Sequence, residues 1–296
     1  MKGDDCVPHA PQWKKAVGAA VAAAFLLGSA AGCAGTSSGI VGLKPVQSQT
    51  PAPTTGDAVL PDPLAEALET YAQTQNAVFS AAVRNTSTGE TFVYNGDGRY
   101  LEASLVKVPI LLTLLRQASE EERELDDSEV QLATAMIEQS DNTATAYLYD
   151  LVGGAPELAR TYELLGVEHT EAGEVWGANE TTVEDQLKIS ETLLSGADWL
   201  DSGLHRFAVQ LMEGIAADQY WGLSAGTEGA DAEVALKNGW LQDDENVWNV
   251  GSTGFIRSGG TEYSISVLTS GSLTLEDGIS VVEGVARLIN QYELAS

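Results

Sequence analysis

Ser104-Leu105-Val106-Lys107 is the stretch on which the reading of this chain turns, together with two later ones, Ser140-Asp141-Asn142 and Lys237-Asn238-Gly239. The first sets a hydroxyl and an amine one helical turn apart, because residues three apart on a helix lie side by side. Serine is a weak nucleophile until a neighbouring base takes its proton, and a lysine desolvated by burial can be that base. The second stretch adds a hydroxyl able to relay the proton and an amide able to hold both the lysine and a substrate. The third reads as an edge strand carrying a cation, followed by a glycine that lets another backbone approach closely. A lone Ser-x-x-Lys recurs by chance, so the order and context of the three carry the argument. Jointly they describe a serine acyl-transfer site.

Working outward, PLAEALETYAQTQ at 63–75 has apolar residues at helical spacing, and 77–97 reads as a hairpin turning at Thr88-Gly89. Helical patterns follow over 104–119, 127–138, 142–152, 155–165, 183–195 and 203–216. Strand patterns return at 233–239, 248–257 and 262–270, and a helix over 275–293 closes the chain. Strands at both ends with helices between predict an α+β fold: one antiparallel sheet built from both ends and flanked by helices. An all-helical lobe, about 104–217, is inserted between its strands.

The three motifs, in this order, resemble those of the class A β-lactamases and the wider penicillin-recognising serine enzymes. SLVKVPILLTLLRQ at 104–117 is similar to that family's nucleophile helix, and SDNTATAYLYDLVGG at 140–154 to its second motif and following helix. ALKNGW and YSISVLTSG look like the two strands beside the site. The likeness runs from about Pro61 to the C-terminus. It implies that Ser104 is acylated, that Lys107 is base or relay, and that Ser140 passes the proton to the leaving nitrogen. It implies also that Asn142 orients the substrate amide and that Lys237 and Asn238 hold a substrate carboxylate. Gly239 would admit the substrate backbone, and the N–H groups of Ser104 and Trp240 would stabilise the oxyanion.

The sequence departs from this pattern twice. The family's deacylating glutamate, with its leucine-asparagine partners, has no counterpart in GVEHTEAGEVWGANETT. Glu168, Glu171 and Glu174 are the candidates there, but none has the partner pair. Only 36 residues separate Ser104 from Ser140, fewer than the family usually has, so one wall of the cleft is shortened. Three readings stay open: a slow β-lactamase-like hydrolase, a D-alanyl-D-alanine peptidase acting on peptidoglycan stems, and a non-catalytic cell-wall-binding lipoprotein.

Composition narrows the setting. The chain has 296 residues and a net charge of −28, which disfavours nucleic acid and anionic lipid as partners. Lys14 and Lys15 precede an apolar run, Ala16 to Ala31, that ends in Ser29-Ala30-Ala31-Gly32-Cys33. This resembles a bacterial lipobox, so 1–32 is expected to be a lipoprotein signal peptide with Cys33 the lipidated residue. The Gly, Ser, Thr, Pro and Gln of 33–62 predict a flexible tether, leaving 63–296 as the hydrolase domain. The expected location is outside the cell, held at the outer face of the cytoplasmic membrane.

Other sites are weaker. Beyond Cys33 no cysteine follows, and His169 and His205 lack metal-ligand spacing, so neither metal nor cofactor is expected. Gly222-Leu223-Ser224-Ala225-Gly226 matches a hydrolase elbow in letters only. It lacks the following helix, and no histidine lies beyond it.

Overall fold

The computed structural model describes residues 62–228 and 231–295. The expected signal peptide, Cys33 and all of the expected tether except Asp62 lie outside the described residues. Asp62 itself caps the first helix, α1 (Pro63–Ala72), by accepting from Leu64 N–H. Among the described residues no helix is long and apolar enough to cross a membrane.

Five strands form one antiparallel sheet in the order β2-β1-β7-β6-β5: β1 (Val78–Asn85), β2 (Thr91–Tyr94), β5 (Glu233–Gln242), β6 (Trp248–Ser258) and β7 (Thr261–Ser272). The strand from the N-terminal side, β1, is zipped to the last strand, β7, from Val78↔Ser270 to Asn85↔Tyr263. The expected fold is therefore the observed one. Helix α8 (Leu275–Glu293) and α1 lie together against the sheet, and α6 (Val183–Ser195) packs on β1, β6 and β7. The inner strands are covered on both sides. Their buried positions accordingly run almost without interruption and include small polar residues such as Ser252, Ser264 and Ser266.

The helical lobe is built around α2 (Lys107–Glu120), which packs on α3 (Asp127–Glu138), α4 (Asn142–Leu151), α5 (Ala155–Leu165) and α7 (Ser202–Glu213). Every residue from Lys107 to Arg116 is buried, the pattern of a helix surrounded on all sides. Pro109 falls within its first turn, where no helical hydrogen bond is lost. The helix expected over 104–119 starts later, at Lys107. Ser104 lies in a 3-10 turn, Ala103–Val106, feeding into α2. A two-stranded ribbon of β3 (Tyr100–Leu101) and β4 (Glu180–Thr181) leads the chain into that turn.

Candidate active site

Edge strand β5 borders the turn carrying Ser104, and one glycine sets their separation. A Cβ placed on Gly239 would lie 3.0 Å from Leu105 N and 3.1 Å from Glu102 O, so a larger residue would push the strand away. The turn is held from its other side by the loop before β4: Glu102 N–H donates to Asn179 O at 2.8 Å and Ala103 N–H to Gly177 O at 2.9 Å. Ala103 is thereby fixed at φ +50°, and Ser140 sits at φ +54°. Neither residue type favours this left-handed region, which costs of order 1–3 kcal/mol per residue, and both flank the same cleft.

Within the cleft, two buried ammonium groups converge on one hydroxyl. Lys107 Nζ donates to Ser140 O at 2.7 Å, Ser140 Oγ at 3.0 Å and Asn142 Oδ1 at 2.8 Å. Lys237 Nζ donates to the same Ser140 Oγ at 3.0 Å and to Asn238 O at 3.0 Å. With both lone pairs of Ser140 Oγ engaged, its proton is directed to a third partner. Helix α4 supplies the rigid support: Asp141 caps it through Ala144 N–H at 2.7 Å, and Asn142 is its first residue. Burial lowers the Lys107 pKa to about 8, against an opposing pull from Asp141. Burial, and then the charge of Lys107, hold Lys237 well below the usual lysine value. Ser104 is partly exposed, and among the described residues its hydroxyl makes no hydrogen bond.

The structure thus brings Lys107, Ser140, Asn142 and Lys237 into one network, with Ser104 and Gly239 beside it. Trp240 follows Gly239 on the edge strand, its ring 5.9 Å from that of Trp221. Asn238 is different. Its side chain is buried, and Nδ2 donates to Gln219 O at 2.7 Å and Trp221 O at 3.2 Å, both on the segment that follows α7.

None of the three loop glutamates joins the network. Glu168 is exposed and pairs with Lys188 on α6 at 3.2 Å, while Glu171 and Glu174 are exposed without hydrogen bonds to Ser104, Lys107 or Ser140. The loop instead presents Trp176, whose ring centroid is 5.5 Å from Lys107 Nζ.

The carboxyl group nearest in sequence to Ser104 is Glu102, which sequence reasoning passed over. It is fully buried and accepts from Tyr162 Oη at 3.0 and 3.2 Å and from Gln186 Nε2 at 3.2 Å. Burial pushes its pKa up to about 7 despite these hydrogen bonds. An acidic residue inside the apolar run Tyr100-Leu101-Glu102-Ala103-Ser104-Leu105-Val106 was the available signal.

No curated protein matches the chain. Solved structures do, at low identity. The β-lactamase from Chitinophaga pinensis aligns with a TM-score of 0.69 at 20% identity, covering 78% of this chain and 99% of that one. PBP-A aligns at 0.67 and 21%, covering 77% and 94%. A class A β-lactamase from Bacteroides cellulosilyticus aligns at 0.70 and 18%, covering 79% and 99%. These likenesses establish the fold. The model of the β-lactamase enzyme family matches residues 63–131 and 128–292, nearly the whole described region, and the chain belongs to that family.

Proposed function

We propose that this protein is a serine hydrolase that opens β-lactams into an acyl-enzyme at Ser104 and hydrolyses that ester slowly. The observation that carries this reading is the Ser140 hydroxyl held between Lys107 and Lys237. Lys107, in its neutral form, takes the proton as Ser104 Oγ attacks the lactam carbonyl. The Oγ–C bond forms, the C–N bond breaks, and Ser140 delivers a proton to the departing nitrogen. Asn142 orients the substrate amide, and the N–H groups of Ser104 and Trp240 receive the oxyanion.

Slow release follows from the loop, where Trp176 rather than a carboxylate faces Lys107. A missing general base typically costs ~10²–10⁴-fold. Mixing with a chromogenic cephalosporin should give a burst stoichiometric with enzyme and then a slow steady state, with an adduct by intact mass that is absent in Ser104→Ala. Linear turnover without a burst would refute slow deacylation; an adduct retained in Ser104→Ala would refute the nucleophile.

The same loop, with Trp176 and no carboxylate at Lys107, leaves room for a second reading, a peptidase of peptidoglycan stems; PBP-A, a variant of which was captured as an acyl-enzyme with penicillin G, shares the fold. Release of D-alanine from a stem peptide would decide for it. We place the enzyme outside the cell, anchored through Cys33 by way of 33–62, on the evidence of the sequence around that cysteine. Cys33→Ala should abolish detergent-dependent membrane association; unchanged association would remove Cys33 as the anchor.

A further inference from the structure

Two residues before Ser104 stands a buried carboxyl group that no step of acylation uses. Glu102 holds the serine's turn by backbone and side chain at once. Its N–H donates to Asn179 O at 2.8 Å, and its carbonyl accepts from Leu105 N–H at 3.1 Å within the 3-10 turn. The same carbonyl oxygen faces Gly239 on β5. The carboxyl group reaches two helices, accepting from Tyr162 Oη on α5 at 3.0 and 3.2 Å and from Gln186 Nε2 on α6 at 3.2 Å. Gln186 Nε2 also donates to Thr181 Oγ1 of β4 at 3.0 Å. Beyond it the hydroxyls of Thr181 and Thr170 meet at 2.8 Å, and Thr170 donates to Asp185 Oδ2 at 2.8 Å. With its hydrogen given to Asp185, Thr170 accepts from Thr181, so the donors run in one direction from Gln186 onward.

This arrangement is set for a carboxylate, since every partner of Glu102 donates to it. Once protonated, Glu102 must itself donate, and the buried acceptor left without a donor is Gln186 Oε1. To receive that proton the Gln186 amide must turn over, and Nε2 then leaves Thr181 Oγ1 and with it β4. The charge is also costly. Among the described residues no cation pairs with Glu102, Asp185 adds repulsion, and burial pushes the pKa up to about 7 despite the hydrogen bonds. A glutamine would fill the same space, accept from Tyr162 and spare that cost. An ionisable group kept at such expense beside a nucleophile points to function rather than to the fold.

We propose that Glu102 is a positioning residue for acylation: as a carboxylate it fastens the turn bearing Ser104 to α5, α6 and β4, and on protonation the Gln186 link to β4 is lost and the nucleophile is displaced. The inference rests on acylation of Ser104, and it gives Glu102 no proton of that reaction, because its side chain is sealed from solvent. The other titratable groups about it are Tyr162 of α5, Tyr149 of α4 and Asp185 of α6. Burial raises both tyrosines above their ordinary value, so they stay neutral near pH 7. Asp185 is held by the N–H groups of Glu168 and His169 as well as by Thr170. His169 joins the cluster through that N–H and is exposed.

The test is the rate of Ser104 acylation by a chromogenic cephalosporin, read from the burst, in the parent and in Glu102→Gln between pH 6 and 8.5. Lys107 titrates in both and cancels in their ratio. At pH 8.5 the parent should be faster by roughly tenfold, within the ~10²-fold that a misplacement of about 1 Å can cost. At pH 6, where a group of pKa about 7 is mostly protonated, the ratio should shrink to about twofold or less. A ratio that stays constant, or that falls as pH rises, would overturn the inference while leaving the acyl-enzyme reading intact. If the parent is never labelled, that reading falls and this one with it. His169→Gln should keep the step, and its disappearance there would assign the step to His169 instead. Tyr162→Phe serves where Glu102→Gln does not fold. Losing a donor to the carboxylate raises its pKa, so the fall in acylation rate beyond the Lys107 limb should begin at higher pH. An unshifted profile in the folded variant counts against the inference.

Discussion

A lysine that must be neutral to act as base is governed by its surroundings, and at Lys107 those surroundings are two opposing influences. Burial lowers its pKa to about 8, while Asp141 raises it. The neutral fraction grows as pH rises, so the acylation rate should climb through an apparent pKa near 8. Removing the Asp141 charge takes away the raising influence and should move that limb to lower pH. Asp141→Asn is suited to the purpose, because asparagine can still cap α4. A limb that stays in place would mean that another group sets it. These residues were legible in the sequence because each motif is local: Ser140, Asp141 and Asn142 are consecutive, and their support is a helix they cap themselves. Glu102 and Asn238 were not. Their partners stand 60 and 84 residues away for Glu102, and 17 and 19 for Asn238, and no pattern in the chain links them.

Elements were legible wherever the chain marks their ends. The expected spans 127–138, 155–165, 183–195 and 275–293 are the observed ones, and each is bounded by a cap: the Asp126–Glu129 capping box, Gly166 at φ +69°, Thr182 and Thr274. The segment at Ser104 reads in sequence as plain helix, whereas its 3-10 form depends on hydrogen bonds to Gly177 and Asn179 on a distant loop. Glu102 sits where that loop, the turn, α5 and α6 meet, facing Tyr162 and Gln186, with Asp185 and Tyr149 near enough to be felt. Its pKa is 4.5 when exposed and about 7 when folded, so the folded state binds the proton more tightly. Stability from this group is present below pH 4.5 and lost as pH rises to 7, by about 3 kcal/mol at most. Denaturant unfolding of Glu102→Gln should show a flatter dependence between pH 5 and 8 than the parent. Parallel curves would place the raised pKa elsewhere.

At the scale of the molecule the excess of 43 acidic over 15 basic residues sets up self-repulsion that salt screens. The thermal midpoint should therefore rise between low and physiological ionic strength, by roughly 2–4 °C if the gain is about 1 kcal/mol. A falling midpoint would mean that ion pairs such as Arg116 with Glu120 and Glu157 outweigh the repulsion. Topology was readable from strands at both ends of the chain. The pairing of β1 with β7 has a further consequence, in time rather than space. Val78 meets its partner Ser270 about 190 residues later, which at ~5–20 residues per second takes roughly 10–40 s to be made. Through that interval the first hairpin has one edge open, and until β5 is made the turn bearing Ser104 has no strand to rest against. A ribosome that stalls between 242 and 261 releases a chain with all three motifs and an incomplete sheet. Quality control therefore has a simple landmark: the last strand to emerge is the one that completes the sheet.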